Sequence, residues 1–107
     1  MIEIRRGSTP TIAVETEVDI SECEEIFAVI RQEVGNGFVS IEKTLTKDSK
    51  VIDENHFSFK LTQEETLALS ESKRAELQLK AKTVFGDVLT GDIIELNIRR
   101  VLKEEVI

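Results

Sequence analysis

Residues 75 to 83 read Ala-Glu-Leu-Gln-Leu-Lys-Ala-Lys-Thr, and they constrain the fold more than any other stretch of the chain. Ala75, Leu77, Leu79, Ala81 and Thr83 alternate with Glu76, Gln78, Lys80 and Lys82. A rhythm of two puts successive side chains on opposite faces of a strand, whereas a helix groups its apolar positions every three or four residues. The rival reading is an α+β fold in which Glu64 to Lys82 forms one long helix, because Ala, Glu, Leu, Gln and Lys are all good helix formers. Period two sustained through Thr83 favours the strand.

The same rhythm recurs along the chain. Ile2 and Ile4 alternate with Glu3 and Arg5, and Gly7 and Pro10 then break the strand. Ile12, Val14, Thr16 and Val18 face one way in the next segment, with Glu15, Glu17 and Asp19 facing the other. Ser21-Glu22-Cys23-Glu24 has capping-box spacing and predicts one helical turn. Ile26-Phe27-Ala28-Val29-Ile30 is a continuous apolar run, the mark of a strand covered on both faces. Gly35-Asn36-Gly37 tolerates positive φ and predicts a hairpin into Phe38 to Thr46, with Val39, Ile41 and Leu45 inward. After a polar turn at Lys47-Asp48-Ser49-Lys50 and a short piece at Val51-Ile52, Phe57, Phe59 and Leu61 alternate in another strand. Thr62-Gln63-Glu64-Glu65 is a second capping box, predicting a short helix through Leu69 with Leu67 against the sheet edge. Phe85-Gly86-Asp87 makes a turn. The last strand is expected from Val88 through Leu102, with Ile94, Leu96 and Ile98 inward and Gly91 at a bulge or bend. Seven or so strands with frequent turns and one corner helix describe an all-β antiparallel sandwich in a single domain over residues 1–107.

A chain of 107 residues buries about 65% of the surface of its unfolded form, enough for one core without staples. Cys23 is the only cysteine, which excludes an internal disulfide and reads as a small buried residue. The net charge of −7 disfavours phosphate-rich partners and anionic membranes. No apolar run reaches the roughly 18 residues of a membrane helix, and no signal-peptide core follows the N-terminal charges. The expected location is the cytoplasm of the producing cell.

Candidate chemistry is sparse. Glu15, Glu17 and Asp19 could bind a cation, but without an Asp-x-Asp-x-Asp-Gly loop they read as a solvated strand face, paired with Lys80, Lys82 or Arg99. His56 is the sole histidine and lacks partners at metal-ligand spacing. A thiol enzyme built on Cys23 would need that distant His56 as its base. The glycine turns lack the Lys-Ser or Lys-Thr of a phosphate loop. Arg5-Arg6 and Arg99-Arg100 are the only arginine pairs, and with no Tyr or Trp they make a poor nucleic-acid surface. Should the first and last strands be neighbours, the pairs would form a basic strip facing an acidic partner. The outer side of the Ile26–Ile30 run is the other candidate, since uncovered Phe27 and Val29 would form an apolar contact patch. The expected contact residues are therefore Phe27, Val29, Arg99 and Arg100, with no catalytic, cofactor-binding or metal-binding residue.

Several phrases, in order along nearly the whole chain, carry a resemblance. They are Ile2-Glu3-Ile4-Arg5-Arg6-Gly7-Ser8-Thr9-Pro10-Thr11, Glu25-Ile26 entering the apolar run, Glu42-Lys43-Thr44-Leu45, Leu61-Thr62-Gln63-Glu64-Glu65-Thr66-Leu67, and Val101-Leu102-Lys103-Glu104-Glu105-Val106-Ile107. In these the chain resembles a family of small proteins encoded in phages and prophages of Gram-positive bacteria. That family is itself similar to the immunoglobulin-like N-terminal domain of phage baseplate upper proteins. The chain departs from it in having no Tyr and a less aromatic strand around Phe27. The resemblance implies an immunoglobulin-like fold and a non-catalytic structural or adaptor role in the tail or baseplate. The implied partners are other phage structural proteins or a second copy, in the cell or in the virion. The alternative is a carbohydrate- or cell-surface-binding module, which would want the aromatic platform that this chain lacks.

Overall fold

A computed structural model of the protein describes residues 2–16, 20, 23–46, 51–52 (backbone only) and 56–107. Among them the elements run β1 (Ile2–Arg5), β2 (Thr11–Glu15), β3 (Cys23–Val34), β4 (Gly37–Thr46), β5 (Val51–Ile52), β6 (His56–Lys60), α1 (Gln63–Ala68), β7 (Ala75–Thr83), β8 (Val88–Thr90) and β9 (Ile94–Arg99). The fold is an immunoglobulin-like β-sandwich with one corner helix. The large sheet has the order β1-β9-β7-β3-β4, with β8 added to β7, and the small sheet has the order β2-β6-β5. The chain crosses between sheets after β1, β2, β4 and β6, so that each sheet can close one side of a shared core.

The alternation in 75–83 becomes β7 with the predicted bounds, and no long helix covers Glu64 to Lys82. Ala75 and Leu77 are fully buried and Ala81 nearly so. Ile12, Val14, Phe57 and Phe59 from the small sheet meet Ile26, Ala28, Ile30, Leu77, Leu96 and Ile98 from the large one in a single core. Phe57 and Phe59, two apart on one face of β6, stack with centroids 6.2 Å apart.

Several expectations need correction. The sandwich is not wholly antiparallel, because β1 runs parallel to β9 with Ile4 beside Ile98 and Arg5 beside Arg99. The expected last strand is two strands, broken at Gly91-Asp92-Ile93 and ending at Arg99 rather than Leu102. Gly91 donates its N–H to the Leu79 carbonyl (2.9 Å) as the chain bends there. The apolar run 26–30 lies within a twelve-residue strand that is buried on one face only, since Phe27 and Val29 alternate with the buried Ile26, Ala28 and Ile30. Glu15 faces His56 across the small sheet, so Lys80, Lys82 and Arg99, all on the large sheet, are not its strand neighbours. Glu17, Val18, Asp19 and the turn at 47–50 lie outside the described residues, as do Ser21 and Glu22 of the helical turn expected at 21–24, whose Cys23 and Glu24 instead open β3.

The second capping box is present. Thr62 Oγ1 accepts from the Glu65 amide (3.2 Å), and the Glu65 carboxylate accepts from the Thr62 amide (2.8 Å). The helix ends at Ala68, and Thr66 is its buried residue rather than Leu67, which is half-buried. Thr66 Oγ1 accepts from the Gly7 amide (3.0 Å) and donates to the Ser8 carbonyl (2.9 Å), tying the β1–β2 turn to the helix. Gly7 has φ +77°, and a methyl group there would sit 3.4 Å from Leu67 Cδ2. That is ordinary contact, so the turn needs glycine for its dihedral rather than for space.

Candidate functional site

Two neighbouring surfaces could engage a partner. The first is the outer face of the large sheet. On β3 it presents Glu25, Phe27, Val29, Arg31 and Glu33, because their alternates point into the core. Strand register places Phe27 between Thr44 of β4 and Lys80 of β7, and Val29 between Glu42 and Gln78. Phe27 and Val29 are half-buried by these neighbours, and no described strand or helix lies across them. On the same face Val88 sits beside Lys82. At the far end of β4, Arg31 places its guanidinium 3.8 Å from the centre of the exposed Phe38 ring. The result is an apolar strip with charges of both signs around it.

The expected arginine strip is brought together and then largely spent. β1 and β9 are neighbours, but Arg99 pairs with Glu3 (3.2 Å) and Arg5 donates to the Arg100 carbonyl (2.9 Å). Arg6 turns away altogether. Its Nε and Nη2 donate to the carbonyls of Leu69 (2.7 Å) and Leu67 (2.9 Å), and Nη1 pairs with Glu104. It caps the C-terminal turn of α1, where the helix leaves carbonyls unpaired and favours a cation. Of the four arginines, Arg5, Arg99 and Arg100 remain exposed at the edge of the outer face, and Arg6 is partly buried.

The second surface was not foreseen. Val84, Phe85, Val88, Leu89 and Ile93 are all exposed on the β7–β8 hairpin and the bend after it, with Phe85 at 76% exposure. Beneath the hairpin a groove of about 390 Å³ opens between the sheets, with Val14, Ile26, Leu79, Ala81 and Leu89 among its walls and Glu15 and Asp92 at its rim. The register explains this, since Leu89 lies opposite the inward-facing Ala81 and so points between the sheets. A sequence signal existed. Adjacent apolar residues at Val84-Phe85, Val88-Leu89 and Ile93-Ile94 exceed what alternation can bury, and reading Phe85 as a simple turn residue passed over it.

The residues weighed for chemistry differ in burial. Cys23 is buried in the core, whereas His56 is exposed at the end of β6. Among the described residues no group of three His, Cys, Asp or Glu side chains converges as a metal site, and no helix is long and apolar enough to cross a membrane. Lys43 is an unforeseen inward-facing charge on edge strand β4, and its Nζ reaches Glu65 Oε1 on α1 at 2.6 Å. Burial alone would raise the Glu65 pKa. The hydrogen bonds from Lys43 and the Thr62 amide, with the Lys43 charge, outweigh it and hold the carboxyl below its ordinary value. In comparisons with known proteins, no family model and no curated protein matches the chain.

Proposed function

We propose that this protein is a non-catalytic assembly module of a phage or prophage tail or baseplate, working through protein–protein contacts on the outer face of its large sheet. The observation that carries the contact reading is the side-by-side placement of Phe27 and Val29 on that face, with no described strand or helix across them. Apolar side chains ringed by mixed charge are typical of interaction surfaces. Arg99 and Arg100 extend the surface towards β9 and favour an acidic element at that edge of the partner. The phage setting rests on the resemblance of the ordered phrases, from Ile2–Thr11 to Val101–Ile107, to the small phage and prophage proteins.

The test combines sedimentation of the purified protein with binding to the proteins encoded beside it. Self-association or capture of a neighbouring structural protein, lost in Phe27→Glu and weakened in the Arg99→Ser, Arg100→Ser pair, is the expected result. A protein that stays monomeric at high concentration and binds none of those neighbours would remove the reading.

A further inference from the structure

The groove under the β7–β8 hairpin is bordered by strand edges from both sheets. β2 is hydrogen-bonded to β6 on one side, and among the described residues no strand pairs with its other side. Among the described residues β8 pairs only with β7, because β1 joins β9 along Leu96–Arg99 and stops short of the bend at Gly91. Val14 and Glu15 of β2 and Leu89 and Thr90 of β8 both line the same opening. Two strand edges with no further strand partner among the described residues thus border an apolar space walled by Leu79, Ala81 and Leu89.

We infer that this groove is a strand-addition site for an extended peptide segment of a partner, with apolar side chains at alternate positions and basic ones between them. The inference rests on the assembly reading above and names the kind of partner segment it would take. An incoming strand satisfies the edge N–H and C=O groups with its own backbone, and its pleat sends every second side chain into the groove. The remaining side chains point towards the rim, where Glu15 and Asp92 are exposed and, among the described residues, no Lys or Arg lines the opening. Asp87, at the hairpin turn, and the net charge of −7 add to the same field. That charge pattern selects a basic strand over an acidic one. A five-residue edge such as Thr11–Glu15 spans about 16 Å, which suits a segment of six to eight residues.

The probe is an eight-residue peptide alternating valine with lysine, compared with its valine–glutamate counterpart at concentrations where each is monomeric. The valine–lysine peptide is expected to slow hydrogen exchange at amides of Thr11–Glu15 and Val88–Thr90 and to bind at least roughly tenfold more tightly than the acidic one. Leu89→Glu should abolish its binding. The double change Glu15→Lys, Asp92→Lys alters only exposed side chains and should reverse the preference between the peptides. Equal binding of both peptides, protection along Gly37–Thr46 instead, or an unreversed preference would overturn the proposal. So would a free protein that sediments as a dimer and becomes monomeric in Leu89→Glu, since the groove would then belong to a second copy. Silent groove variants alongside a disruptive Phe27→Glu would remove the strand site and leave the assembly reading. A reversed peptide preference alongside a silent Phe27→Glu would keep the strand site and remove the sheet face.

Discussion

Gln32 is a buried polar residue whose every hydrogen bond has a structural purpose. Its side chain is 2% exposed, and Nε2 donates to the carbonyls of Ser70 (2.6 Å) and Lys73 (2.8 Å) while Oε1 accepts from the Ser70 amide (2.6 Å). The turn between α1 and β7 has no strand partner there, and Gln32 supplies one from β3. Gln32→Leu keeps the volume and strands three backbone groups. Urea unfolding should show a loss of about 1–3 kcal/mol with an unchanged m-value. A midpoint equal to the parent protein's would show that water satisfies the turn just as well. Glu65 gives a second prediction at this scale. Its pKa is lower folded than unfolded, so its contribution to stability is present above the ordinary glutamate value and fades as pH falls through the lowered one. Glu65→Gln can keep the cap but carries no charge. Its stability should therefore fall less steeply on acidification, and parallel pH profiles for the two proteins would count against the Lys43–Glu65 pair.

At the scale of elements, what could be read from the sequence was whatever local pattern encodes. β7 was legible because nine residues repeat one rhythm, and α1 because Thr62 and Glu65 cap each other within four residues. The β3–β4 hairpin followed from Gly35, which has φ +60°. The full length of β3 and its one-sided burial were not legible, since Ile26 to Ile30 shows no alternation and the outer residues are as apolar as the inner ones. The parallel β1–β9 pair was illegible for a different reason, because it joins the two ends of the chain and no local signal specifies it. Of the site, Phe27, Val29 and the arginine juxtaposition were foreseen, whereas the groove depends on where β8 leaves the sheet, which only the register reveals. The same register separates two leucines of one strand. Leu77 is sealed between the sheets, so Leu77→Ala should cost about 2–5 kcal/mol. Leu79 faces the open groove and is half-buried, so Leu79→Ala leaves no closed cavity and should cost clearly less in the same denaturant series. Equal losses would mean that the groove is closed in solution.

At the scale of the whole molecule, charge decides how association responds to salt. Two copies each carrying −7 repel at long range, and that repulsion is screened beyond a Debye length of about 10 Å at 0.1 M salt. Contact between the Phe27–Val29 strips is apolar and is not weakened by screening. The charges around the strip are of both signs, with Lys80, Lys82 and Arg31 near Glu25, Glu42 and Glu76, so their screening changes little on balance. Self-association through this face should therefore strengthen as salt rises from about 20 mM to 300 mM. A basic strand in the groove does the opposite, because its attraction to Glu15, Asp92 and the net negative charge is what salt removes. Val29→Lys separates the two modes. It places an ammonium group in the centre of the strip, which should abolish the salt-strengthened dimer, and it leaves the groove's lining unchanged, so the salt-weakened peptide binding should persist. Sedimentation equilibrium and peptide titration across the same salt series measure both slopes. Self-association that weakens with salt would place the dimer contact on ion pairs and away from Phe27 and Val29.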